Sequence, residues 1–425
     1  MTSHIERLPV ELFELIAACL DLSSYKSLRL ASKKTRFLIH SRFVEHAFSR
    51  LKTTLGSPSL DRLVNVARLP YLRGAVKVLQ IQLLTSNDYH VLAAISRVGR
   101  YPPPKRFPRI PGIQDRHIKE ESATFEYVVK SKYPTRLFDD LVRALRGFTS
   151  LTVVHFHPRE SQLTRRRDLV LEDDHLFRSR CFEVVIDAIV HSHVRLSELR
   201  MAKCRRGSAL HKEAILPLSA LQIPAQTLQA LQYCFSNLQV LTISALTVYE
   251  DVSGIPGWQK GIANILATAP KLKSLTLSLD RSNYVVSIIE NMVSSCAPLE
   301  LEALQLLFCA VRADDLVTII RSQSATLQRV LFSDLRLSNG NWSSILLALK
   351  ECEKLEHLRL CSQSDEEHPV RRLDVTRGNR AMTDMLDELI ATYSDVSASQ
   401  NNGFVETYHV AGLSLARSST TVLGE

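Results

Sequence analysis

Leu272-Lys273-Ser274-Leu275-Thr276-Leu277, followed by a turn and an amphipathic run over 285–295, is the stretch on which the architecture turns. Its leucines stand at the first, fourth and sixth places. The last two share one side of a strand, because successive side chains of a strand point to opposite faces. The same frame recurs at Val76-Leu79-Ile81, Leu151-Val154-Phe156, Leu196-Leu199-Met201, Leu238-Leu241-Ile243, Leu301-Leu304-Leu306, Leu327-Val330-Phe332 and Leu355-Leu358-Leu360. From Leu151 onward, successive starts lie 45, 42, 34, 29, 26 and 28 residues apart. Helical stretches fill the intervals at 258–269, 285–295, 313–322 and 343–352. Pro270 and Pro298 close two of them, since the residue before a proline is turned away from helix. Strand, turn and helix repeated in this order predict an α/β chain whose units bury their apolar faces only by stacking on neighbours.

The frame and its last three spacings resemble a leucine-rich repeat of a degenerate, cysteine type. That pattern places Asn or Cys eight residues after the first Leu. Cys204 and Cys309 satisfy it, whereas Leu246, Asp280, Leu335 and Gln363 occupy the place in other frames. The resemblance implies an irregular α/β solenoid over residues 76–365, with the third, fifth and seventh frame places on a concave face. Those places hold His155 and His157, Glu198 and Arg200, Thr242 and Ser244, Thr276 and Ser278, Gln305, Arg329, and His357 and Arg359. Among them His155, His157, Arg200, Thr242, Thr276, Gln305, Arg329 and Arg359 are the candidate contacts for a protein substrate. The several cations would suit an acidic or phosphorylated segment. An ordinary solvated sheet face accounts for them equally well.

The N-terminus carries a second signal. Leu8-Pro9-Val10-Glu11-Leu12 opens a helix, with proline suited to its first turn. Leu12, Leu15, Ile16, Cys19 and Leu20 follow at helical spacing as one apolar stripe. Ser23 or Ser24 is expected to cap a second helix carrying Tyr25 and Leu28. A third is expected from about Ser32, with Phe37, Val44, Phe48 and Leu51 on one side. So small a unit buries too little to stand alone, and must lean on the chain or on a partner.

Leu8-Pro9-x-Glu11-Leu12-x3-Ile16-x3-Leu20, with Leu28-x-Leu30-x-Ser32-Lys33-x2-Arg36, resembles the F-box of SCF-type ubiquitin ligases, in its fungal form. Thr35 stands where that pattern has a large aromatic. The resemblance implies a three-helix F-box over 1–50 that binds a Skp-type adaptor, through which cullin and RING subunits attach. It assigns the adaptor interface, or the packing that shapes it, to Leu8, Pro9, Leu12, Ile16, Leu20, Leu28 and Leu30. Helical period alone does not separate inward leucines from adaptor-facing ones. Residues 51–75 resemble the helical linker that leads from the box into the substrate-facing domain. The implied function is a non-catalytic substrate receptor of a ubiquitin ligase. A scaffold using the same two modules without ubiquitin transfer is the competing class.

Composition agrees with a folded chain: 425 residues, 45% hydrophobic and 23% charged. Glu11, Glu14 and Asp21 interrupt the only candidate for a signal segment, and no window is apolar enough to cross a membrane. Eight cysteines without a Cys-x2-Cys pair are expected to be reduced thiols of the cytosol or nucleus. The net charge of +9 is dispersed among acids, and its densest runs, Arg165-Arg166-Arg167 and Lys203-Cys204-Arg205-Arg206, lack the interleaved aromatics of a nucleic-acid site. Two regions lie outside the repeat. A proline-rich insertion occupies about 101–135, and after 365 a last helix near 382–393 leads into a Ser/Thr/Asn-rich tail that is expected to be mobile.

No catalytic constellation is legible. Gly412-Leu413-Ser414-Leu415-Ala416 has the outline of a nucleophile elbow, yet no His or Asp follows it. His155-Phe156-His157 and His191-Ser192-His193 would each align two imidazoles on a strand, but third and fourth metal ligands are lacking nearby. The chain is expected to need neither cofactor nor metal.

Overall fold

The computed structural model describes residues 8–55, 57–83, 135–158, 172–201, 216–247, 254–280, 282–363 and 371–376, part of 382–391, and the pairs 409–410 and 413–414. The proline-rich insertion, apart from Thr135, lies outside these residues, as do both dense basic runs, Cys204 and most of the tail. The chain is α/β with mostly parallel strands. It falls into two compact units, one of residues up to 155 with Val184–Val194, the other of Phe156–Glu183 and the residues from Arg195 onward.

The first unit opens with four helices: α1 (Val10–Ala18), α2 (Leu22–Ala31), α3 (Lys33–Leu38) and α4 (His40–Phe48). Strand β1 (Arg50–Thr53) follows, then α5 (Ser57–Arg68), α6 (Pro70–Arg73), β2 (Val78–Leu83), α7 (Thr135–Gly147) and the start of β3 (Val153–Pro158). The segment expected as a helical linker therefore begins with a strand. Phe48-x-x-Leu51-x-Thr53 is the same frame with threonine in its last place, which concealed it. Thr53 is nevertheless buried, because its hydroxyl accepts hydrogen bonds from the Ser59 hydroxyl and the Leu55 amide. β1 and β2 pair in parallel, Leu51 opposite Leu79.

Helix α7 was not foreseen. Its Leu137, Leu141, Ala144 and Leu145 are buried, as are Leu60, Leu63, Val64 and Ala67 of α5, against which it packs. The two helices approach closely at Gly147, where a Cβ would lie 2.7 Å from that of Ala67. Glycine is needed there for want of space.

In the second unit each frame from Leu196 to Leu355 carries a strand. These are β4 (Glu198–Met201), β6 (Val240–Leu246), β7 (Ser274–Ser278), β8 (Ala303–Leu307), β10 (Arg329–Ser333) and β12 (His357–Gln363). They pair in that order, all in parallel. The two-residue β5 (Leu216–Pro217) joins the end of β6. Strand β13 (Arg371–Thr376) runs antiparallel to β12. A second parallel pair, β9 (Ala310–Arg312) with β11 (Arg336–Asn339), lies outside the frames.

Helices α8 (Glu172–Ser192, its residues from Val184 belonging to the first unit), α9 (Ala225–Cys234), α10 (Gly261–Ala267), α11 (Asn283–Cys296), α12 (Ala313–Ser322) and α13 (Trp342–Lys350) alternate with the frame strands along the chain. Within the second unit, α10 packs on α11, α11 on α12 and α12 on α13. Leu275, Leu277, Leu304, Leu306, Val330, Phe332, Leu358 and Leu360 are buried, as are Ile288, Ile289, Leu316, Ile320, Ile345 and Leu346 of the helices. Met382, Leu386 and Leu389 are buried too, as expected of a further amphipathic helix.

Polar side chains tie successive turns together. Asp280, eight residues after Leu272, accepts the Thr247 amide, the Thr247 hydroxyl at 2.7 Å and the Ser282 amide at 3.0 Å. A carboxylate thus satisfies backbone donors at a place where the repeat pattern has an asparagine. Gln323 is buried at the end of α12, and its amide accepts from Leu301 N–H at 2.8 Å and donates to the Cys296 carbonyl at 2.9 Å. Removing that side chain leaves two buried backbone groups unsatisfied, which costs about 1–3 kcal/mol. Gln323→Leu is expected to lower stability by about that amount in urea unfolding. An unchanged midpoint would show that these bonds hold nothing.

Candidate functional site

The N-terminal helices have a core of their own: Phe13, Ala17, Tyr25 and Ile39, with Leu8, Leu20, Leu28, Leu38 and Phe43 packed against it. The fully buried Tyr25 donates its hydroxyl to the Ala17 carbonyl at 2.5 Å. Asp21, rather than Ser23 or Ser24, caps α2 by accepting the Ser24 amide at 2.8 Å. The bonds from Ser24 hold its carboxyl below the usual carboxylate range. Thr35 is buried, and its hydroxyl donates to the Leu28 carbonyl at 2.8 Å. A small hydrogen-bonded residue therefore closes the α2–α3 junction where an aromatic was the family expectation. The Arg29 guanidinium lies 3.8 Å over the Phe43 ring.

Most of the apolar stripe of α1 lies outside this core. Phe13 and Ala17 face inward with Leu20, while Leu12, Leu15 and Ile16 are 50%, 67% and 45% exposed. The single third helix is corrected. It breaks at Ile39 (φ −94°, ψ 3°), and this one-residue change of register buries Ile39 and leaves Phe37 81% exposed. Leu30 is 87% exposed. Of the seven residues assigned to the adaptor, Leu8, Leu20 and Leu28 pack inward, and Pro9, Leu12, Ile16 and Leu30 face outward. Phe37 and Leu15 are outward residues that sequence reading left out of the interface. Their exposure depends on where α3 breaks and on which side of α1 carries Phe13, neither of which periodicity resolves. The helices do lean on their own unit: Glu45 pairs with Lys77 at 3.0 Å, and the His40 ring lies 5.9 Å from that of Tyr71.

The strand candidates share one face of the second unit's sheet. Register places Arg200, Thr242, Thr276 and Gln305 in one rank, which continues through Leu331 to Arg359. Arg329 stands in the preceding rank, between Ala303 and His357. Arg200, Arg329 and Arg359 are exposed, and Thr242, Thr276 and Gln305 half-buried. Arg200 is engaged by Glu198 at 2.9 Å, and Arg359 donates to the Cys361 sulfur at 3.3 Å. His155 and His157 are half-buried on β3, alternating with the buried Val154 and Phe156. His155 belongs to the first unit and His157 to the second. The seventh-place Ser244 and Ser278 are buried rather than outward; Ser278 ends β7 just before the turn held by Asp280, and Ser244 is its register partner on β6. His191 lies on α8 and His193 follows in a left-handed conformation, so that pair is not on a strand.

Reactive chemistry finds little footing among the described residues. No group of three or more His, Cys, Asp or Glu could hold a metal ion. No helix is long and apolar enough to cross a membrane. An open cleft between α5 and α7 is lined by Asp61, Asn65, Arg68, Asp139, Asp140 and Arg143. Of its two cations, Arg143 lies 3.3 Å from Asp140. Asn341, first residue of the glycosylation-type triplet Asn341-Trp342-Ser343, is the N-cap of α13, accepting the Ser344 amide, and the neighbouring Trp342 is buried.

Burial pushes the thiols of Cys296, Cys309 and Cys352 up to about 12 and that of Cys234 to about 11, and it raises Cys181 as well. The thiolate is the nucleophile, so these sulfurs are inert near neutral pH. Cys19, beside the exposed face of α1, is itself exposed. In the native protein a maleimide is expected to modify Cys19, and to reach those five thiols only in denaturant. Native-state labelling of any of the five would contradict the packing described here. No family model matches the sequence, and a search of curated proteins finds no match.

Proposed function

We propose that this chain is the substrate-recognition subunit of an SCF-type E3 ubiquitin ligase. Its N-terminal helices dock on a Skp-type adaptor that brings cullin and RING subunits, and its strand-and-helix repeats present a protein substrate. The observation that carries this reading is the surface of α1–α3. Leu12, Leu15, Ile16, Leu30 and Phe37 remain in water although the module has a filled core. Large apolar side chains left in water on a folded module are what contact with another macromolecule would cover. The motif quoted for the F-box places Leu12, Ile16 and Leu30 on it.

The finer fold belongs to the same proposal. Parallel strands paired in chain order, starting 29, 26 and 28 residues apart from Leu272 onward, support a leucine-rich-repeat-like solenoid. Buried residues at the first, fourth and sixth frame places support it further. Such a subunit performs no bond chemistry. It raises the local concentration of substrate lysines near a ubiquitin-charged enzyme. The polar rank Arg200–Thr242–Thr276–Gln305–Arg359 is the proposed substrate surface.

Co-expression with a Skp-type adaptor tests the reading. The wild-type chain is expected to form a one-to-one complex, and Ile16→Asp/Leu30→Asp to abolish it while keeping the native circular dichroism. Both side chains lie outside the core, so the variant separates docking from folding, which a change at the inward Leu8 would not. A folded wild-type chain that forms no complex would overturn the proposal.

A further inference from the structure

Several exposed cations elsewhere among the described residues are held by carboxylates: Lys77 pairs with Glu45, Lys273 with Glu302, Arg312 with Glu290, Arg321 with Glu351 and Lys350 with Asp387. The α2–α3 segment offers its cations no such neighbour of its own. Residues 22–44 contain Lys26, Arg29, Lys33, Lys34, Arg36 and Arg42, and no Asp or Glu. Lys26, Lys33 and Arg36 are exposed, and no carboxylate among the described residues pairs with their side chains.

Their positions matter as much as their number. Lys26 precedes Leu30 by four residues on α2, and Lys33 precedes Phe37 by four on α3, with Arg36 three beyond Lys33. Residues three and four apart are neighbours on a helix surface. Each of the two most exposed apolar side chains of the module thus has an unpaired cation one turn away. The acids among the module's described residues are placed otherwise: Glu11 and Glu14 on α1, Asp21 spent on the cap of α2, and Glu45 on Lys77.

We infer that the α2–α3 face docks on an acidic protein surface, with Leu30 and Phe37 entering apolar pockets whose rim carries carboxylates opposite Lys26, Lys33 and Arg36. This rests on the adaptor reading and adds to it the chemistry of the partner's contact surface. Like-signed cations around an apolar patch discourage self-association of the free chain. The same cations accelerate encounter with an oppositely charged rim, and that attraction is screened by salt.

The test uses the full chain and a purified Skp-type adaptor, with binding measured at about 50 mM and about 500 mM salt, on either side of physiological screening. The wild-type chain is expected to bind about tenfold more weakly at the higher salt, and Lys26→Glu/Lys33→Glu/Arg36→Glu to lose about tenfold at the lower one. That variant is also expected to show a flattened salt dependence. Glu11→Lys/Glu14→Lys, on the other helix, should not weaken binding, and native circular dichroism checks that each variant is folded. Tight binding that ignores both salt and charge reversal would overturn this inference and leave the adaptor reading standing. Failure of the folded wild-type chain to bind the adaptor at either salt would overturn both.

Discussion

One hydrogen-bonding pattern sets the register of almost everything else: a single carbonyl shared by two successive amides of the next strand. The Ser197 carbonyl accepts from Gln239 and Val240, and that of Gln239 from Lys273 and Ser274. The carbonyl of Lys273 takes Glu302 and Ala303, that of Glu302 takes Gln328 and Arg329, and that of Gln328 takes Glu356 and His357. The first unit repeats it, with Ser49 accepting from Lys77 and Val78, and Lys77 from Thr152 and Val153. Each acceptor sits one residue after the first apolar place of its frame. Every frame therefore enters its ladder at the same point, and the fourth and sixth places turn inward together. A slip of one residue would turn those leucines to water and bring the lysines, glutamates and arginines inside.

Register at that level was legible because it rests on a period. Eight frames read from leucine spacing became eight strands, and the intervening helices fell within a few residues of their expected positions. Several strands that escaped were short or exceptional, and helix α7 was missed although it is 13 residues long. β1 hid behind Thr53, whose hydroxyl is satisfied internally and which therefore serves as an inward residue. β5, β9 and β11 are only two to four residues long and carry no period. Asp280 departed from the expected Asn or Cys, yet its carboxylate accepts the bonds that hold the turn. A residue-type pattern misses such a replacement, whereas hydrogen-bonding capacity does not.

The N-terminal module was legible as a module and not in its facing. On α1, apolar residues occupy positions 10, 12, 13, 15, 16, 17 and 18. A helix that is apolar over most of its circumference gives no direction for the core. The decision falls to Tyr25 and Ile39, distant in sequence, which fill the space beside Phe13 and Ala17. Likewise Phe37 reads as a core residue until the break at Ile39 is known. The substrate-facing candidates were legible as one face because a strand's alternation is rigid. Their ranks are a matter of register, and spacing alone does not describe the burial of the paired Ser244 and Ser278.

Strand pairing in strict chain order has a kinetic consequence. From Leu272 onward each strand finds its partner within about thirty residues, so the loops closed during folding are short and similar in length. Local pairing of this kind keeps contact order low for a sheet protein and lets assembly spread from any early pair of neighbours. The end of the array is treated differently. β13 returns antiparallel on β12, covering the last parallel edge with the chain's own backbone. An open edge is a template for further strands, and pairing with β13 keeps the edge of β12 from serving another chain.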